Sequence, residues 1–199
     1  MFRKAKFEVG VDEVGRGPLA GPIALCALII KNKKVLTQFP KNCDSKHFSA
    51  KKRNELYKTL VEEKKRQNID FAVSYAQPKY IDRWGIEKAT RTALSANLRK
   101  LTLDPKKVEI LLDGRLRAPD EYSNQKTFIK GDARIQTIGL ASIVAKVERD
   151  KKMTGLAKIY PQYGFEKNMG YGTKYHVDAV RKYGLTPIHR LSFLKNILA

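Results

Sequence analysis

Phe7-Glu8-Val9-Gly10-Val11-Asp12-Glu13-Val14-Gly15-Arg16-Gly17-Pro18-Leu19-Ala20-Gly21-Pro22-Ile23-Ala24-Leu25-Cys26-Ala27-Leu28-Ile29-Ile30 sets two apolar runs on either side of a glycine- and proline-rich loop. The runs predict strands over 7–11 and 23–30, with the acid pair Asp12-Glu13 directly after the first. Outward from this unit the apolar period changes. Leu56/Leu60 and Tyr57/Val61 recur four apart and predict a helix over 49–67. Phe71, Val73 and Tyr75 alternate as in a half-buried strand. Leu94, Leu98 and Leu101 lie on one stripe of a helix over 87–101. A short apolar strand over 108–112 ends in Asp113-Gly114. Leu140, Ile143, Val144 and Val147 start a helix that extends to about residue 153–160. A short helix over 174–183 closes the series, with Gly184 as its stop. Strands alternating with helices predict an α/β layer structure. No internal repeat or dividing linker is visible, so 1–199 reads as one domain.

The 199 residues carry 40 Lys+Arg against 20 Asp+Glu, a net charge of +20, which points to an anionic partner and first to nucleic acid. A hydrophobic fraction of 42% is too high for a disordered basic tail. The apolar run over 23–30 is far short of the roughly 20 residues that span a bilayer. Met1-Phe2-Arg3-Lys4 has no apolar signal core behind it. Cys26 and Cys43 make neither a disulfide framework nor a CxxC zinc pair. A cytoplasmic protein without a membrane partner is the expectation.

The placement of the acids says more than the excess of bases. Asp12-Glu13 and Asp113 end strands, and Asp132 precedes a helical segment. Asp-Gly at 113–114 is also an ordinary turn pair, so each acid alone permits a plain turn-forming role. Four carboxylates converging at one sheet edge would instead suit hard divalent cations, Mg²⁺ or Mn²⁺. Two such ions can stabilise both oxygens of an in-line phosphodiester displacement. The segment Gly15-Arg16-Gly17-Pro18-Leu19-Ala20 fits G-x-G-x-x-A, but Pro18 and Pro22 interrupt any helix start and a strand follows, so a dinucleotide fingerprint is rejected. A tight loop whose backbone approaches a ligand closely fits better, and backbone groups suit reading a 2′-hydroxyl.

Together these segments resemble the type 2 ribonuclease H family, in its bacterial ribonuclease HII branch. The resemblance is carried by Val11 through Pro22, Asp44-Ser45-Lys46, Leu112-Asp113-Gly114, Lys130-Gly131-Asp132-Ala133 and Ala141-Ser142-Ile143-Val144-Ala145-Lys146-Val147 with Arg149-Asp150. It continues through Tyr160-Pro161, Tyr163-Gly164-Phe165, Gly170-Tyr171-Gly172-Thr173 and Thr186-Pro187-Ile188-His189-Arg190. It implies a ribonuclease H-like α/β fold: a central five-stranded mixed sheet flanked by helices, with a helical, substrate-binding C-terminal portion from about residue 170. It also implies hydrolysis of the RNA strand of RNA/DNA hybrids and incision 5′ to single ribonucleotides in duplex DNA, with 3′-hydroxyl and 5′-phosphate ends.

By family position Asp12, Glu13, Asp113 and Asp132 would be the catalytic tetrad holding two divalent metal ions, with Asp12 bridging. Gly15, Arg16 and Gly17 would grip the 2′-hydroxyl, Ser45 and Lys46 would contact phosphate, and Tyr171 would pack on the following deoxyribose. A monomer is the family expectation. The tail 194–199 offers no clear clamp-binding peptide. Glu148 replaces the usual Thr, and Gly139-Leu140 replace small alanines, which concerns helix packing. His47-Phe48 replace the common Lys-Leu and leave Asp44 to Lys46 intact. His47, His176 and His189 lack ligand spacing and read as structural or surface residues. Arg190 permits either a phosphate contact or a local hydrogen-bonding role. Trp84 reads as core, and Cys26 as a small core residue. A non-catalytic basic nucleic-acid-binding protein would explain the charge but not the acids; another nuclease of the same fold would cut all-DNA junctions instead.

Overall fold

A computed structural model describes the backbone over residues 6–198 and side chains over 6–194. The expectations about Met1 to Lys4, and about side chains beyond Leu194, lie outside the described residues. Five strands form one mixed sheet: β1 (Phe7–Val14), β2 (Ile23–Ile30), β3 (Ile69–Ala76), β4 (Val108–Asp113) and β5 (Gln125–Phe128), in the order β3-β2-β1-β4-β5. β2 is antiparallel to both its neighbours, whereas β1, β4 and β5 run parallel. The seven helices among the described residues are α1 (Ala50–Lys65), α2 (Pro78–Lys100), α3 (Gly131–Arg134), α4 (Gln136–Ile159), α5 (Phe165–Asn168), α6 (Lys174–Tyr183) and α7 (Leu191–Leu198).

Both faces of the sheet are covered. On one side Val9, Val11, Leu25 and Ile110 pack against Ala93, Leu94 and Leu98 of α2. On the other, Cys26, Leu28 and Ile30 pack against Leu56 and Leu60 of α1 and Leu140, Ile143 and Val144 of α4. This explains why β2 is apolar at every position instead of alternating. Gly10 lets α4 come down onto β1, because a Cβ there would overlap the Thr137 carbonyl. A third cluster, built from Met153, Tyr163, Phe165 and Val180, docks α5 and α6 on the second half of α4.

Helix α6 has the predicted bounds; the Thr173 hydroxyl caps its start and Gly184 (φ 77°) ends it. The Ser49 side chain likewise caps α1. Four expectations are corrected. Strand β1 continues through the acid pair to Val14, because β2 offers a pairing partner as far as Ala24. The helix expected over 87–101 is the second segment of α2, which begins at Pro78 and is interrupted at Gly85 (φ 76°). That break puts Trp84 out of step with the stripe of Leu94 and Leu98, and the indole is 45% exposed where a core position was expected. Strand β5, with no buried residue, carries no apolar signal, so the apolar runs give four strands and miss the position of the fifth that the resemblance implies. The departures at Glu148 and Gly139 do concern packing. Tyr57 Oη donates to Glu148 Oε1 at 2.6 Å, tying α1 to α4, and Gly139 leaves room for Cys43. Among the described residues no helix is long and apolar enough to cross a membrane.

Candidate active site

Parallel strands β1 and β4 place their C-terminal ends side by side. The register Val11↔Leu112 brings Asp12 and Asp113, one residue further along each strand, to the same edge. Sites in open α/β sheets form at such strand ends. Past β5 the chain turns through Lys130 (φ 55°), and the Gly131 N–H donates to Asp113 Oδ1 at 2.6 Å. That bond sets Asp132 beside Asp113. Asp12, Glu13, Asp113 and Asp132 all line one cavity of about 270 Å³, together with Gly15, Ser45, Lys46 and Tyr171.

Neighbours in a strand face opposite ways, so the acid pair is split between the two sides of the sheet. Asp12 lies opposite Cys26, on the side of the Ser142 hydroxyl of α4, which partly offsets its burial, and Glu13 lies opposite Leu25 and pairs with Arg16 at 3.2 Å. Burial, with Glu13 and Asp113 adding repulsion, holds the Asp12 carboxyl well above its ordinary range. Burial pushes Glu13 up to about 7 against the pull of Arg16. Asp113 is raised by burial, with Asp132 adding to it. Glu13 Oε2 is buried without a hydrogen-bond partner. The crowded carboxylates form an electron-rich wall. Arg16 and Lys46 each pair with one carboxylate at its margin, but among the described residues Asp12, Asp113 and the orphaned Glu13 oxygen face the cavity without a paired cation within salt-bridge distance, a donor set that fits hard divalent cations. Among the described residues no three His, Cys, Asp or Glu side chains already close on one point as a ligand cage.

The remaining expected residues divide by distance from this wall. The Ser45 hydroxyl is buried on Ser142 Oγ at 2.8 Å, behind Asp12. The Lys46 ammonium is 3.5 Å from Asp132, on a side chain 80% exposed, so it is free to reach out. Gly15 lines the cavity, whereas Arg16 opens into a neighbouring groove and Gly17 packs toward the Tyr171 ring. His47 is exposed, and Cys26 is a buried core residue.

Of the two roles the sequence left open for Arg190, the structure shows the hydrogen-bonding one, and its target is the glycine loop. Arg190 is wholly buried. Its Nη2 donates to Gly15 O at 2.7 Å, its Nη1 to Arg16 O at 2.8 Å, and its Nε and Nη2 to Gly21 O at 3.0 and 2.8 Å. The alternative of a phosphate contact is therefore set aside: every nitrogen of the fork is spent on the loop. Arg149 lies against Gly15 and donates to Pro22 O at 3.0 Å. Tyr171 is held through two buried imidazoles. The Thr186 N–H donates to His189 Nδ1 (3.0 Å), so His189 Nε2 carries the proton and donates to His176 Nε2 (3.1 Å). His176 Nδ1–H then donates to the Tyr171 carbonyl (2.9 Å). Burial, reinforced by His176, pulls His189 down to about 4, which keeps this relay neutral. Arg149, Tyr171, His189 and Arg190 stand inside the segments quoted for the resemblance and His176 just outside them, but nothing local in sequence indicates the Arg190 contacts 169–175 positions apart.

The Ribonuclease HII family model matches residues 9–196. A ribonuclease HII from Caldicellulosiruptor bescii is 41% identical over 194 residues, covering 98% of this chain and 89% of the relative. The ribonuclease H2 of Pyrococcus horikoshii OT3 superposes with a TM-score of 0.72 at 25% identity over 96% of both chains. Bst-RNase HIII, solved in complex with Mn²⁺, superposes with a TM-score of 0.72 at 19% identity over 98% of this chain and 70% of that one, a likeness of fold. The chain belongs to the ribonuclease HII family of ribonuclease H enzymes.

Proposed function

We propose that the chain is a metal-dependent endonuclease that hydrolyses the RNA strand of RNA/DNA hybrids and incises 5′ to single ribonucleotides embedded in duplex DNA. It leaves 3′-hydroxyl and 5′-phosphate ends and works as a cytoplasmic monomer in ribonucleotide removal and primer processing. The observation that carries this reading is the wall of four carboxylates, one with a buried unpartnered oxygen, inside a chain of charge +20. Two divalent cations, Mg²⁺ or Mn²⁺, held by Asp12, Glu13, Asp113 and Asp132, would activate a water and stabilise the leaving 3′-oxygen. Gly15 and its neighbours present backbone groups to the 2′-hydroxyl, and the braced loop keeps them fixed. Lys46 reaches a phosphate beside Asp132. Tyr171 packs on the sugar after the ribonucleotide, and the 170–198 portion with α6 and α7 carries the far side of the duplex. Basic residues elsewhere position the duplex without specifying sequence.

A duplex with one ribonucleotide, incubated with Mg²⁺ or Mn²⁺, tests this directly: one incision 5′ to the ribonucleotide is expected. Absence of incision would leave a basic binding protein, and cutting of all-DNA junctions would favour a different nuclease. In the same assay Tyr171→Ala should relax selectivity for the RNA–DNA step; unchanged selectivity removes that role.

The cation also has a readout that does not involve turnover. Glu13 has a folded value near 7 against an ordinary 4.5, so its contribution to stability is complete below about 4.5 and is lost as pH rises through about 7. Asp12 and Asp113 shift in the same direction. A cation bound to the ionised wall reverses that loss. Mg²⁺ should therefore raise Tm by several degrees near pH 8 and by much less near pH 5. Equal shifts at both pH values would count against these carboxylates as the binding groups.

A further inference from the structure

Beyond the carboxylate cavity a second recess of about 800 Å³ starts at Arg16 and runs along α2 to Trp84. Its walls carry Arg16, Lys88, Arg91, Arg115 and Arg117, with Glu87 as the one acid among the lining residues. It continues into a groove of about 740 Å³ that shares Trp84, Lys88 and Thr92 and exposes Tyr80. The two sites meet at Arg16. Its guanidinium pairs with Glu13 on the cavity wall, and Arg115 stands two residues past Asp113 on the opposite bank. A strand leaving the carboxylates thus has a cationic path that ends on an exposed indole.

We propose that this groove holds an unpaired nucleic-acid strand, with a base stacked on Trp84 and its phosphates on Arg115, Arg117 and Lys88. The inference rests on the nucleic-acid reading of the carboxylate site. Cations that follow a backbone, combined with an aromatic platform, are the elements of single-strand binding, because every base offers a ring face. A paired, stacked duplex shows such a face only at its ends, which is why an unpaired segment fits an indole better. The Lys88 ammonium now lies 4.0 Å from the centre of the indole ring, and the Arg83 guanidinium lies 4.8 Å from it. Exposed cation–π contacts are weaker than base stacking, so an arriving base displaces one cation, which then meets the phosphate. Arg91 and Arg117 share the exposed Asp120 at 3.2 and 3.6 Å, a screened pairing that phosphate readily replaces.

Trp84 is the single tryptophan of the chain, so emission excited at the red edge, beyond the tyrosine band, reports on this groove alone. Titrating the full chain with a short oligothymidylate at low salt should give a saturable quench. By anisotropy of a labelled oligomer, Trp84→Ala should weaken binding roughly tenfold, while Trp84→Phe keeps most of the affinity. Replacing Arg115 and Arg117 together by Ala should lower the slope of log K against log salt by about 1.4, some 0.7 for each lost phosphate. No quench at saturating oligomer, with incision of the single-ribonucleotide duplex intact, overturns the groove and spares the enzyme. Loss of both binding and incision overturns the two readings together. An equal quench by a blunt duplex overturns the assignment to an unpaired strand.

Discussion

Asp113→Asn should lower turnover on a single-ribonucleotide duplex by about 10³-fold or more, the several kcal/mol that cation-assisted charge stabilisation supplies to phosphodiester cleavage. The substitution is nearly isosteric. Asn keeps an Oδ1 that can accept the 2.6 Å bond from the Gly131 N–H, so the turn that carries Asp132 stays in place. What disappears is a negative charge on a wall where Asp12 already feels Asp113 as a repulsive neighbour. Burial raises the Asp113 carboxyl, so its charged form is held at a cost, and the variant should melt at the same temperature or higher. Substrate affinity should change by no more than severalfold, because the basic surface is untouched. This combination of a collapsed rate, preserved binding and an unchanged Tm separates a catalytic carboxylate from a structural one. Turnover within tenfold of the parent would remove Asp113 from the chemistry.

Arg190→Ala should cost roughly 3–5 kcal/mol and lower Tm by about 10 °C. Four charge-assisted hydrogen bonds end on the carbonyls of Gly15, Arg16 and Gly21, and truncation leaves two buried acceptors and a half-buried one without this donor. Part of that loss is offset, since burial, aided by Arg149, pulls the Arg190 guanidinium down to about 9 and its removal relieves the strain of a buried cation. Lys should not rescue, because one ammonium cannot reproduce a planar fork aimed at three oxygens. Chain pairing around this residue adds to the effect. Arg190 N–H donates to Leu19 O, and Gly21 N–H donates to Ile188 O, so the C-terminal segment is stitched to the end of the glycine loop. Activity on the single ribonucleotide should fall more than activity on a long hybrid, as the loop proposed to read the 2′-hydroxyl loosens. A Tm within about 2 °C of the parent would show that the loop holds itself.

The local patterns of this chain are strong, and they carry a good deal. Runs of apolar residues around the glycine loop, the four-residue spacing at Leu56 and Leu60, and the stop at Gly184 identify the α/β class and most elements, because burial and capping act over a few residues. The segments quoted for the ribonuclease HII resemblance point to the four acids and to the loop. Other features have no local signature. Strand β5 has no buried residue, so it carries no alternation and exists only because β4 offers it a parallel edge. The Gly85 break turns Trp84 outward, which no hydrophobic periodicity indicates. Asp12 and Glu13 are adjacent in sequence yet face opposite sides of the sheet, a consequence of strand pairing continuing to Val14. By itself the sequence determined which residues bear the charge and the carboxylates. Only the tertiary structure decided what holds them. Arg190 reaches the glycine loop across 174 positions, and neutral His176, backed by His189, reaches the Tyr171 carbonyl, because hydrogen bonds are satisfied by proximity in space and leave no period in the chain.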